Sequence, residues 1–173
     1  MEKLSFLTRE TELNAINVVQ GAWVVERERV LRTILGSCVA VCLFDPVARV
    51  GGMNHYVYPP RPSTGSQSAG ATTLYGDLCM EGLFNAVLAS GASRARLRAK
   101  AFGASAMFGQ ESEFLSAGKR NSSYAKYWLE KESIPLDLFD FHGAYARKLI
   151  FHPASGQHLC HHFPATFNLS VKR

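Results

Sequence analysis

The chain is short of the features that would assign it quickly. None of its apolar stretches is long enough to cross a bilayer, and the longest runs only from Val39 to Phe44. The amino-terminal MEKLSFLTRETEL is too charged for a secretory signal. The four cysteines, at 38, 42, 79 and 160, form no CxxC pair and no zinc-finger spacing. No internal repeat and no RNA- or DNA-binding motif is visible. These absences leave no apolar helix able to span a bilayer and no zinc finger, and give no ground for a nucleic-acid partner. They leave a cytoplasmic protein with reduced thiols as the expectation.

At 173 residues, with 47% apolar and 19% charged, the chain fits one domain with its own core. The segment 59–73, PPRPSTGSQSAGATT, reads as a mobile surface loop, and 164–173 as a carboxy-terminal tail. Before the loop the pattern is strand-like. GAWVVER alternates weakly, TILGSCVAVCLFD is β-branched and apolar, and Asp45-Pro46 marks a turn. ARVGGMNHYVYP is its antiparallel partner, with Gly51-Gly52 marking a bulge or a close backbone approach.

After the loop, LYGDLCMEGLFNAVLASG carries an apolar stripe at helical spacing (Cys79, Met80, Leu83, Phe84, Val87, Leu88) and ends at Gly91. NSSYAKYWLEKE reads as a second helix capped by Asn121, with Tyr124 and Trp128 on its core side. ARKLIFHP and QHLCHHF, joined at Ser155-Gly156, read as a closing hairpin. The fold class expected is α+β: a mostly antiparallel sheet or sandwich core with two main helices packed on it.

The formal charge of +5 is dispersed. Its densest piece, SRARLRAK, places Arg94, Arg96, Arg98 and Lys100 on one face of a strand, and a solvated face is the plainer account. Asp77 opens the first helix and reads as its cap. The tail histidines raise a metal reading, since His158, Cys160 and His162 share a strand face and His142 and His152 are available. No fourth ligand is fixed by spacing, so a partly polar hairpin is preferred.

The sharpest feature is LGSCVAVCLFDPVARVGGMNH, residues 35–55. A nucleophilic cysteine needs a base to generate its thiolate and donors to hold the resulting oxyanion. Gly36 and Ser37 allow a close backbone approach beside Cys38. His55 falls next to Cys38 if the two strands pair across the Asp45-Pro46 turn, and imidazole titrates near the working pH. On spacing alone, a buried inert thiol beside a satisfied histidine is the better account. Cys42 illustrates it: four residues on, among Val, Ala and Leu, it reads as core.

That stretch closely resembles the motif of the chemoreceptor glutamine deamidase family, CheD. The resemblance continues in order through YGDLCM (75–80), AKAFGASAMF, GKRN (118–121) and DFHGAYARKLIF, covering about residues 22–163. It implies an amidohydrolase that converts glutamine side chains of methyl-accepting chemotaxis receptors to glutamate. By carry-over Cys38 is the nucleophile and His55 the base. Thr33 is the nearest match to the family's orienting threonine, one residue closer to the cysteine than in some members. Gly36, Ser37 and Asn54 are expected to position substrate or oxyanion. Neither a metal nor an organic cofactor is implied. The resemblance also implies binding to CheC-type phosphatases, so a binding module regulating such a phosphatase is the alternative. A third option is deamidation of some other protein. The chain departs from the family at His142-Gly143, where Gly-Gly is frequent, and at Ala104-Ser105, where Gly-Ala is.

Overall fold

Strand β4 (Val39–Asp45) is buried at every position, and the reason sets the architecture. Successive side chains on a strand point to opposite faces, so a strand buried throughout needs cover on both. Val39, Val41 and Leu43 pack against helices α2 (Gly76–Ala89) and α3 (Glu113–Lys131), while Ala40, Cys42 and Phe44 pack against a second sheet. The result is three layers, helices over a five-stranded sheet over a four-stranded sheet. The computed structural model describes residues 5–62, 72–106 and 113–164 of the chain. Residues 63–71 of the expected loop and 165–173 of the expected tail lie outside that description.

The five-stranded sheet runs β2 (Trp23–Glu26), β5 (Val50–Asn54), β4, β6 (Arg98–Gly103), β7 (Leu136–Phe141). The four-stranded sheet runs β1 (Ile16–Asn17), β3 (Leu31–Leu35), β8 (Tyr145–Phe151), β9 (His158–Pro164). Pairing is antiparallel except for β1 with β3 and β6 with β7. A short α1 (Arg9–Leu13) precedes them, closed by a Thr8–Thr11 capping box. The α+β class, the largely antiparallel pairing and the two main helices agree with the sequence reading. So does the apolar stripe of α2, where Cys79, Met80, Leu83, Phe84 and Val87 are buried.

The Asp45-Pro46 turn is an Asx turn: Asp45 Oδ1 accepts from the Val47 and Ala48 N–H groups, each at 3.0 Å. It returns the chain so that β4 pairs with β5 in antiparallel register, Cys42 opposite Met53. Gly51 is needed for close approach, since a Cβ there would lie 2.5 Å from the Pro153 carbonyl oxygen.

Four local expectations are corrected. TILGSCVAVCLFD is two strands: β3 lies in the four-stranded sheet, and the chain crosses at Gly36–Cys38 into β4 of the other. β4 is covered on both faces and β3 on one, but the outward-facing Ile34 is itself apolar, so the run shows no seam. SRARLRAK is a 3₁₀ turn at Arg94–Arg96 followed by β6, and its cations are locally engaged. Arg94 pairs with Glu132, Arg96 with the buried Asp45 and Arg98 with Asp137, while Lys100 Nζ donates to the Gly156 carbonyl at 2.7 Å. Asn121 is no cap, because α3 begins earlier and Asn121 is buried within it. Asp77 caps nothing either. Tyr75 is the N-cap without a side-chain bond, and Asp77 in the first turn pairs with Arg61 at 2.8 Å.

Candidate active site

The crossing between sheets holds Cys38. All three carbonyls of Gly36, Ser37 and Cys38 are taken: by the Ser105 N–H at 2.9 Å, the Asn121 side-chain amide at 3.5 Å and the Ala104 N–H at 2.7 Å. Gly103 makes this possible. Its φ is +121°, and a Cβ there would sit 2.1 Å from the Cys38 carbonyl oxygen. On the far side Val39 and Tyr56 exchange backbone bonds of 3.0 and 2.9 Å. In that register Cys38 and His55 are diagonal neighbours on the face turned toward the four-stranded sheet.

His55 is buried and fixed by both its backbone and its ring. Its N–H donates to the Ala22 carbonyl at 3.0 Å, and its carbonyl accepts from the Gly21 N–H at 2.7 Å. Thr33, reaching across from β3, has its Oγ1 2.8 Å from His55 Nδ1 and 2.8 Å from the Val18 carbonyl. The Val18 carbonyl only accepts; it takes the Thr33 hydroxyl proton and also lies 3.3 Å from His55 Nδ1, a contact that favours a proton on that nitrogen. The Thr33 oxygen then receives the Nδ1–H of His55. This assigns the tautomer: Nδ1 carries the proton and Nε2 presents a lone pair. Nε2 is buried and has no hydrogen-bond partner among the described residues.

Burial acts on both Cys38 and His55. It pushes the Cys38 thiol up to about 11, with a smaller opposing effect from its own backbone N–H. It holds the His55 imidazole below its usual value. The resting pair is therefore a neutral thiol and a neutral imidazole.

A cleft of about 750 Å³ opens beside His55, with Gln20, Arg32, Thr33 and Lys148 also in its wall. Val19 and Ile34, 64% and 63% exposed, form its apolar lips. Gln20 carries no motif, and sequence reasoning missed it. Its Nε2 lies 3.9 Å from the Cys38 sulfur. Asn54 is not brought to the pair. One position before His55, it faces the helices, where Oδ1 accepts from the Val41 N–H at 2.8 Å and Nδ2 donates to the Cys79 carbonyl at 3.3 Å.

The comparisons with known proteins agree with the motif. A family model described as CheD chemotactic sensory transduction matches residues 59–162. Over 153 residues the chain is 46% identical to a probable chemoreceptor glutamine deamidase CheD 2 of Dechloromonas aromatica (strain RCB), covering 88% of this chain and 77% of that protein. The probable chemoreceptor glutamine deamidase CheD of Zymomonas mobilis subsp. mobilis is 42% identical over 149 residues, with 85% and 79% covered. The chain belongs to the CheD family.

Two departures from the CheD pattern, at Ala104 and His142, fall at left-handed backbone. Ala104 has φ +54° and His142 φ +70°, where a glycine carries no Cβ strain. Each does structural work, Ala104 on the Cys38 carbonyl and His142 donating its N–H to the Gly103 carbonyl at 3.0 Å.

The tail histidines are divided. His152 lies 3.0 Å from the Ser155 hydroxyl and His158 3.0 Å from Lys100 Nζ. Cys160 and His162 meet Asp140, a grouping whose ligand atoms lie within 4.8 Å of one another. The Arg147 guanidinium already holds that carboxylate at 2.7 Å, and its positive charge opposes a cation there.

Proposed function

We propose that this CheD-family chain is a protein-glutamine deamidase acting on chemoreceptors, with Cys38 as nucleophile, His55 as base and Thr33 as the residue that orients the base. One observation carries the assignment of roles: the Thr33 hydroxyl, committed to Val18, leaves His55 with a free Nε2 lone pair on the face it shares with Cys38.

His55 Nε2 takes the thiol proton as the sulfur attacks the carboxamide carbon of a receptor glutamine. The tetrahedral oxyanion collapses and the C–N bond breaks. The imidazolium returns the proton to the leaving nitrogen, and ammonia departs from a thioester. Water, deprotonated by the same Nε2, attacks the thioester carbonyl. The products are a glutamate side chain and the regenerated thiol. No step of this sequence requires a metal or an organic cofactor.

The cleft suits such a substrate. Receptor adaptation regions are helical and glutamate-rich, and the cleft offers the lips Val19 and Ile34 with Arg32 and Lys148 nearby. No described helix is long and apolar enough to cross a membrane, in keeping with action in the cytoplasm on the receptors' cytoplasmic helices. The family's CheC-type phosphatases are the partner this reading retains, as competitors for the same cleft.

Mass spectrometry of a receptor cytoplasmic fragment tests the reading. Each converted glutamine adds about one dalton, and conversion is expected with the wild type and absent with Cys38→Ala. Several receptors left unchanged by the wild type would overturn it in favour of the binding module.

A further inference from the structure

An oxyanion needs donors, and the backbone around Cys38 leaves few. The carbonyls of Gly36, Ser37 and Cys38 are engaged on the side of Ser105, Asn121 and Ala104. The Cys38 N–H lies near its own sulfur, which supplies one donor beside the point of attack. The side chain that meets the sulfur from the cleft is Gln20, with an amide N–H 3.9 Å from it.

Gln20 is held in place by the reacting residues themselves. On one side Val18 accepts the Thr33 hydroxyl at 2.8 Å. On the other, Gly21 and Ala22 bond the backbone of His55, at 2.7 and 3.0 Å. The turn between is closed by the Ala22 N–H on the Val19 carbonyl at 3.0 Å. The segment bearing Gln20 is thus tied to the orienter and to the base, and its amide is set against the nucleophile. The contact to sulfur is long, so it does little to hold the thiol. An oxyanion-hole donor lies instead about 3 Å from the oxygen that develops its charge in the transition state, and that oxygen stands beyond the sulfur, on the carbon under attack. From these positions we infer that Gln20 is a catalytic residue of the deamidation, donating its Nε2–H to the tetrahedral oxyanion together with the Cys38 N–H. The inference rests on the deamidase reading above.

The test separates this role from support of the thiol. Alkylation of Cys38 by iodoacetamide is a displacement at a saturated carbon and forms no oxyanion, whereas deamidation forms one. Gln20→Ala and Gln20→Glu are compared with the wild type on the receptor fragment and with iodoacetamide. For Gln20→Ala, kcat is expected to fall by about 10²–10³-fold with KM changed by less than about threefold, and alkylation to stay within about twofold of the wild type. Gln20→Glu keeps the shape and loses the donor, so it is expected to be at least as slow. A Gln20→Ala enzyme with undiminished kcat overturns the inference. So does alkylation that falls in step with deamidation, which would make Gln20 a support for the thiol. Recovery of glutamate at position 20 in purified wild type would overturn it too, by making Gln20 a substrate. A wild type that deamidates nothing defeats the deamidase reading, and the inference with it.

Discussion

Two cysteine–histidine groupings lie in this molecule, and the one with the more obvious triad is not the reactive candidate. Cys160 and His162 bring a thiol and an imidazole onto one carboxylate, that of Asp140. Cys38, His55 and Thr33 offer only a hydroxyl in third place. The difference is in where the protons are committed. Asp140 takes His162 by Nε2 at 2.5 Å, and Cys160 donates its S–H to the same carboxylate at 3.6 Å. Burial, and next the negative charge of Asp140, push the Cys160 thiol up to about 12. Burial alone would raise Asp140 itself, but the bonds from Arg147 and His162 outweigh it and hold the carboxyl below its usual range. Every partner is spoken for. At Cys38 the histidine is gripped by the other nitrogen, and its Nε2 has no partner among the described residues. A buried acceptor without a partner costs about 1–3 kcal/mol, a cost that makes sense where the lone pair has a proton to collect.

The sharpest break between the two groupings is at the sulfurs. Cys38→Ala is expected to lose all deamidation detectable by mass spectrometry, and Cys160→Ala to stay within about twofold of the wild type. Next come the histidines. His55→Ala is expected to cost about 10²–10⁴-fold in kcat, against little for His162→Ala. In the proposed mechanism the base works only when neutral, and burial lowers the His55 pKa. The kcat/KM profile is therefore expected to rise on its acid side with a midpoint below 6.5. It then stays level through neutral pH, since the Cys38 thiol titrates only at about 11. A midpoint above 6.5 would contradict the neutral resting pair.

Arg147→Met strikes the second grouping. The guanidinium is fully buried, bonded to Ser105, Asp140 and the His142 carbonyl. Its removal is expected to lower unfolding free energy by about 2–3 kcal/mol, less than a fully enclosed ion pair would because Asp140 is partly exposed. Asp140 has a lowered folded pKa, so its share of stability is present above the ordinary carboxylate value of 3.8. That share is lost as pH falls through the folded value. Denaturant melts should show the gap between wild type and variant narrowing below about pH 4. Thr33→Val has the smallest expected effect. Losing one orienting hydrogen bond costs about tenfold in kcat, and Thr33→Ser restores most of it.

Much of this was legible in the chain. The β4–β5 pairing followed from Asp45-Pro46 between two apolar runs, the stripe of α2 from its spacing, and the β8–β9 hairpin from Ser155-Gly156. The placement of Cys38 beside His55 came with the first of these, and the resemblance supplied the roles. What stayed hidden depends on packing between distant elements. The outward-facing Ile34 keeps the run apolar through β3 as through the fully buried β4, so the crossing at Gly36–Cys38 gave no sign. Asn121 has the composition of a cap, but its amide finds the Val57 carbonyl at 2.9 Å, and a distant partner outweighs local preference. Asn54 stands one residue from the base, and alternation along the strand turns it to the opposite face. Gln20 sits in a turn where almost any polar residue is at home.

Thr33 rides on the four-stranded sheet and His55 follows the end of the five-stranded one. The bond between them therefore spans the joint where the two slabs meet. Any agent that wedges the slabs apart by a fraction of an ångström frees the imidazole to turn, long before either slab loses its own ladder. With the proposed roles, turnover serves as a strain gauge for that joint, and hydrostatic pressure or mild denaturant should silence the molecule while its circular dichroism still looks intact.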